Sequence, residues 1–212
     1  MQNREKSNYR SARSWRLLLC GIATNAIGVS LVAHASFGIS AISSFPYSLS
    51  VAFPVFTFGV WTYLFQIAMI LALIAIFRRM DIQYCLAFVV SILFGYLLDG
   101  FGLLVNLIPS HILLRFLCYT AGTLIMATGT CMAVESGLPV LPQDLFLREL
   151  STQKGWKFQN IKTVFDCSCV SGSVAVGLLI HGRVAGIGVG TLVSALVMGK
   201  CVSLARKALG YK

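Results

Sequence analysis

The sequence predicts an all-α integral membrane protein with six transmembrane helices in two inverted three-helix repeats, each carrying a short broken helical segment. Composition is the first ground. Of 212 residues, 57% are hydrophobic and 11% charged, whereas charged residues make up about a quarter of an ordinary soluble domain. Patterning is the second. Apolar stretches run over 17–34, 57–77, 83–107, 112–134, 159–180 and 184–204, each near the 20 or so residues a helix needs to cross roughly 30 Å of hydrocarbon. Apolar residues surround every face of these stretches and the alternation of a β-barrel is absent, so the backbone must satisfy itself within helices. A weak internal repeat is the third ground.

Residues 1–15 form a basic tail that leads into span one. Together with "AHA" at 33–35 this start resembles a signal peptide, but the apolar run is long and has a counterpart later in the chain, so it reads as a retained helix. The stretch 36–54, "SFGISAISSFPYSLSVAFP", breaks the pattern with Gly38, Pro46, Pro54 and a series of serines. Spans two and three follow, separated by Arg78 and Arg79. Span four opens the second half behind Arg115. Its broken counterpart, "ESGLPVLPQDLFLRELSTQKG" over 135–155, predicts a short helix from Pro142, a residue suited to a first helical position, to about Ser151. Spans five and six complete the chain, which is read as a single membrane domain with repeats at 16–108 and 109–207.

A net charge of +10 raises the question of nucleic acid, and the placement of the charge answers it. Of the 17 Lys and Arg, all but Arg115 and Arg183 fall on one side of the predicted spans: Arg4, Lys6, Arg10, Arg13 and Arg16 before span one, Arg78 and Arg79 after span two, Arg148, Lys154, Lys157 and Lys162 around the start of span five, and Lys200, Arg206, Lys207 and Lys212 at the end. By the positive-inside rule both termini are cytoplasmic. The expected partner of the chain is therefore the lipid bilayer, with no nucleic acid.

The repeat is seen by laying "RLLLCGIATNAIGVSLVAHASFG" from residue 16 against "RFLCYTAGTLIMATGTCMAVESG" from residue 115. Arg16/Arg115, Leu18/Leu117, Thr24/Thr123 and Gly38/Gly137 coincide. Phe58/Phe158, Phe65/Phe165 and Ala75/Ala175 match one residue out of that register. Three crossings per half is an odd number, so the second copy enters from the opposite side, which is the arrangement of an inverted repeat. Short Gly- and Pro-interrupted segments at corresponding positions of two halves point to a transporter's substrate site. A pair of interfacial helices sealing the bundle ends is the plainer reading.

Charges inside the spans carry the chemistry. Lys162 and Asp166 stand four apart in "NIKTVFDCSCV", about one and two turns inside span five. Lys162 can snorkel to the interface, whereas the short Asp166 cannot, and a carboxylate in lipid costs at least about 2.5 kcal/mol. Asp166 is therefore expected to face the interior, where it is either half of a structural ion pair or a functional carboxylate. Gln66 aligns with it in the first half. Asp144, in the first turn of the short helix, complements the macrodipole and stands in i,i+4 order with Arg148. Asp99 and Arg115 are near enough through the connection at Pro109 to predict a structural charge pair. Gly182, Gly186, Gly190 and Ser194, each four apart, predict a small-residue packing stripe on span six. His34, His111 and His181 fall at outer helix ends without metal-ligand spacing. The seven cysteines read as small buried apolar residues, since Cys167 and Cys169, two apart, face different ways on a helix.

The segments "FGISAISSFPYSLS", "VLPQDLFLRELSTQKGWKFQNIKTVFD" and "GIGVGTLVSALVMGK", in this order and spacing, resemble the YczE/YyaS/YitT family of bacterial integral membrane proteins, particularly its YczE-like branch. The resemblance runs from about Arg16 to Lys200 and rests on Gly38 to Ser40, Leu141 to Asp144, Lys162 with Asp166, and Gly190-Thr191. Ser43 and Ser44 stand where related chains often carry polar or acidic groups. The resemblance implies a polytopic bacterial inner-membrane protein and no established activity.

The expected function is transport of a small polar solute by alternating access between the repeats. Asp166, Lys162 and Gln66 line the site, with Asp144 and Ser44 contributed by the two broken segments. Two alternatives stand beside it. One is a solute-binding subunit that relies on a separate energising partner, as the chain has no Walker motif; the other is a non-transporting scaffold. An association with itself or with a membrane partner suits either. No enzyme is expected, since no HExxH or nucleophile–base constellation is present, and no cofactor or metal.

Overall fold

The computed structural model of the protein describes residues 12–78, 80–109, 111–138, 141–156, 158–182 and 186–210. The predicted basic residues Arg4, Lys6, Arg10, Arg79, Lys157, Arg183 and Lys212 lie outside the described residues. Eight helices and no strand are found among them: α1 (Ala12–Ala35), α2 (Ala41–Ala52), α3 (Phe58–Phe77), α4 (Ile82–Val105), α5 (Ile112–Glu135), α6 (Pro142–Lys154), α7 (Phe158–His181) and α8 (Val189–Ala208). All but α2 and α6 are long and apolar enough to cross a membrane, so the chain is a multi-pass membrane protein. The order long, short, long, long occurs twice.

Local chemistry sets the boundaries. The Ser40 hydroxyl accepts from the Ser43 N–H and starts α2, and Thr57 does the same for Val60 at α3. Pro142 occupies the first turn of α6, where its missing N–H costs nothing, and Gly155 ends the helix in the left-handed region at φ 66°. Gly182, at φ 63°, ends α7 in the same way. Gly186 lies in the following connection at φ 77°. The predicted stripe of Gly182, Gly186, Gly190 and Ser194 is thus not one helical face. Hydropathy continues through "GIGVG" over 186–190 while α8 begins only at Val189, and only Gly190 and Ser194, both buried, belong to α8.

The chain divides into two compact units, each drawing segments from both halves of the sequence. The first holds the described residues of 1–39, 100–138 and 188–212, the second those of 40–99 and 139–187.

In the first unit α1 and α5 cross antiparallel at four glycines. A Cβ on Gly21 would lie 2.7 Å from the Ala133 nitrogen, and one on Gly122 would lie 2.9 Å from Leu31 and 3.0 Å from the Gly28 carbonyl oxygen. One on Gly28 would strike the Met126 backbone, and one on Gly129 would strike that of Asn25. Gly21 and Gly28 are seven apart, as are Gly122 and Gly129, so each helix offers a matching groove to the other. Asn25 seals the crossing by donating to Thr130 Oγ1 at 2.8 Å and to the Met126 carbonyl at 3.3 Å. This pair is the small-residue packing surface, at a place other than the one expected from span six. The loop after α1 docks on the start of α8: the Gly190 N–H donates to the Phe37 carbonyl at 2.8 Å, and a Cβ at Gly38, φ 111°, would meet the Gly188 nitrogen at 2.7 Å.

In the second unit the two short helices each pack on both α3 and α7. A serine seam joins α2 to α7. Ser48 donates to the Ser173 carbonyl at 3.2 Å, and Ser173 donates to the Ser44 carbonyl at 3.1 Å. Four rings run Phe45, Phe65, Phe165, Phe146, with neighbouring centroids 5.5, 6.3 and 5.9 Å apart and the central pair stacked. Ile70 and Leu73 of α3, Tyr84 and Ala87 of α4 and Leu145 of α6 form the apolar core beneath.

Candidate functional site

Polar groups inside an apolar bundle are expensive unless paired, so their placement is informative. In the second unit, α3, α6 and α7 bring five of them into one region. Phe65 stacks on Phe165, and the next residues along α3 and α7 are Gln66 and Asp166. Gln66 is 0% exposed. Its Nε2 donates to Gln143 Oε1 at 3.3 Å, and its own Oε1 has no hydrogen-bond partner. Gln143 precedes Asp144 in the first turn of α6. On α7, Lys162 Nζ lies 3.2 Å from Asp166 Oδ2, the two side chains being 45% and 25% exposed.

Asp144 is half-buried, and its carboxyl is pushed up to about 6, first by burial and further by the Asp166 charge, while Lys162 pulls it down. These causes join Asp144 electrostatically to the ion pair. Two carboxylates are thus coupled to one ammonium. With both ionised the cluster carries a net negative charge, and a proton on Asp144 makes it neutral.

Most of the sequence-predicted site residues meet here. Asp144, Lys162, Asp166 and Gln66 belong to one unit and to three adjoining helices. Gln143 was missed as a side-chain contact, because its bond to Gln66 spans 77 positions in sequence and no local pattern records it. Ser44 stands apart from this cluster: its hydroxyl donates to the Ala41 carbonyl at 2.7 Å and its own carbonyl accepts from Ser173 at 3.1 Å, so it belongs to the serine seam between α2 and α7.

The predicted Asp99–Arg115 charge pair joins residues of different units, and each has partners within its own. Asp99 accepts from the Thr57 hydroxyl and from the Gly59 N–H at 2.8 Å, so it caps the start of α3 across a Gly59/Gly95 helix contact. Arg115 Nε donates to the Ala35 carbonyl at 2.8 Å, with its guanidinium 5.2 Å from the centre of the Phe37 ring. The ion pair that long-range packing does make in that unit joins Arg206 to Glu135 at 2.9 Å.

All seven cysteines are free, but only Cys118, Cys131 and Cys169 are buried, so the reading of small core residues holds for those three. His34 lies in the last turn of α1 and His111 stands at the N-cap position of α5 without a side-chain cap bond, while the His181 side chain lies outside the described residues. An apolar cavity of about 590 Å³ sits at the junction of α6 and α7, lined by Phe146, Leu150, Trp156, Ile161 and Phe165 among others.

Among known sequences, residues 12–207 match the model of DUF6198, described as a family of unknown function. No curated protein and no solved structure matches the chain.

Proposed function

We propose that this chain, which belongs to the DUF6198 family, is a transporter of a small polar solute in a bacterial cytoplasmic membrane, working by alternating access between inverted repeats. The observation that carries the reading is the cluster of Asp144, Lys162, Asp166, Gln66 and Gln143. Both broken segments adjoin the helices that bear it, and one buried amide oxygen there is left unpartnered. A purely structural network would be expected to satisfy such a group.

Three observations support the inverted repeat. The first helices of the two halves cross antiparallel through glycines at equal spacing, as elements related by an axis in the membrane plane would. The helix order repeats. The ring series Phe45, Phe65, Phe165, Phe146 maps onto itself when positions about 100 apart are exchanged. The resemblance to the YczE/YyaS/YitT proteins accords with this architecture and adds no solute.

Topology is tested by cysteine labelling in a cysteine-free background. Val55, 81% exposed in the loop before α3, and Lys154 at the end of α6 should label from opposite sides of the membrane, Lys154→Cys from the cytoplasm. Labelling of both from one side removes the inverted arrangement.

A second reading, a solute-binding subunit that needs a partner or a second copy, draws on α7 and α8. Their apolar windows are 17% buried, against 50% for α1. Reconstitution separates the two. The purified chain alone in liposomes should accumulate at least one member of a panel of labelled amino acids and amines, with initial rates lowered at least tenfold by Asp166→Asn. Binding without uptake by the folded chain favours the subunit.

A further inference from the structure

We propose that the Gln66–Gln143–Asp144 group beside the Lys162–Asp166 pair is a binding site for a small protonated amine. The inference rests on reading this cluster as a solute site and names the class of solute. Three features of the cluster lead to it.

The first is charge. Two carboxylates and one ammonium leave one negative charge uncompensated in a largely apolar setting, so the favourable occupants are positive. The second is donor and acceptor count. Asp166 is already engaged by the Lys162 ammonium at 3.2 Å. The carboxylate of Asp144 offers acceptors, and so does Gln66 Oε1, which is buried in a residue 0% exposed and has no partner. An ammonium has three N–H donors and no acceptor, which is the complement of that set. The third is the chain's own precedent, since the cation that this cluster already holds is an alkylammonium.

A proton and a protonated amine are alternative ways to neutralise Asp144. The groups that face it are few. From α7 come Lys162 and Asp166; α3 carries no charged residue, its sole titratable group being Tyr63; α4 brings Tyr84 to the same core as Leu145; and α6 itself carries Arg148, Glu149 and Lys154. With the carboxyl at about 6, amine binding just below that pH should displace a proton to solvent. The site thereby couples an amine to a counter-moving proton.

The test uses the full chain in nanodiscs, in weakly buffered solution at pH 5.5, with a pH-sensitive dye. Methylammonium chloride should release a substantial fraction of one proton per chain, saturably. Tetramethylammonium, which has no N–H donors, and sodium chloride at equal concentration should release at least fivefold less. Asp144→Asn should abolish release, and Gln66→Met, close in volume, should weaken methylammonium at least tenfold, so that either variant carries the test if the other does not fold. Equal release by sodium or tetramethylammonium, or full release and unchanged affinity in the folded variants, overturns the proposal. Binding with these properties but without methylammonium uptake into liposomes leaves the amine site standing and removes the transporter.

Discussion

Gly129→Ala should destabilise the protein by about 1–3 kcal/mol, the usual cost of overpacking a tight contact, and Gly129→Leu should prevent the two-helix core of the first unit from forming. The added Cβ would run into the backbone of Asn25, 2.8 Å from its Cα and 2.7 Å from the Gly21 carbonyl oxygen. Backbone cannot rotate aside as a side chain can, so α1 and α5 would have to separate along the crossing, and the Asn25 bonds to Thr130 and Met126 would lengthen with them. Alanine is the better helix former by about 1 kcal/mol, which offsets only part of this loss. Gly199→Ala is the matched control. It lies on α8 with open space where its Cβ would stand, so the propensity gain goes unopposed and stability should rise slightly. Thermal or denaturant unfolding in detergent reads both; equal effects at the two positions would show that α1 and α5 do not rely on close backbone approach.

This crossing also shows where sequence reading has its reach. Spans are set by stretches of apolar residues long enough to exclude water, a local property, and five of the six predicted stretches agree with helices to within a few residues, apart from a five-residue N-terminal extension of α1. The sixth starts late because glycine in the left-handed region ends a helix without altering hydropathy. Equal Gly-x6-Gly spacings in α1 and α5 were present in the sequence, but spacing alone does not say which glycines have a partner. Gly182 to Ser194 repeats just as regularly, yet Gly182 follows the end of α7 and Gly186 precedes the start of α8. Asp99 and Arg115 are close along the chain, yet the carboxylate accepts from Thr57, the N-cap of α3, 42 residues upstream. For the candidate site, the charged residues were legible because charge in a membrane span is costly wherever it falls. Their mutual arrangement was not, because it depends on how α6 settles between α3 and α7.

The Lys162–Asp166 pair illustrates the same division. Its i,i+4 spacing is readable, and so is its poorer charge order along the helix. What the sequence leaves open is why a chain would keep it. In the folded protein Asp166 raises the cost of a charge on Asp144 while Lys162 lowers it, so the pair acts on a third group from another helix. A pair that merely stapled α7 to itself would contribute little, since exposed pairs of this spacing stabilise by only about 0.3–0.5 kcal/mol.

Asp144→Asn should therefore make the protein more stable at pH 7 and remove the pH dependence that Asp144 imposes between about 4 and 6. The folded carboxyl lies at about 6 against an ordinary value of 3.8, so in that window the folded chain holds a proton that the unfolded chain has released. Stability depends on pH in proportion to protons bound unfolded minus protons bound folded. The difference is negative here, so stability falls as pH rises from about 4 to about 6 and is level above. A shift of this size corresponds to on the order of 2–3 kcal/mol, small for α6 as a whole but large for one side chain. Asparagine keeps the shape and cannot ionise, so the wild-type and variant melting curves should converge near pH 4 and separate toward pH 7, with the variant higher. Curves that stay parallel across the range would mean that Asp144 ionises in the fold as easily as in water, and the pressure to take up a cation at that position would vanish with it.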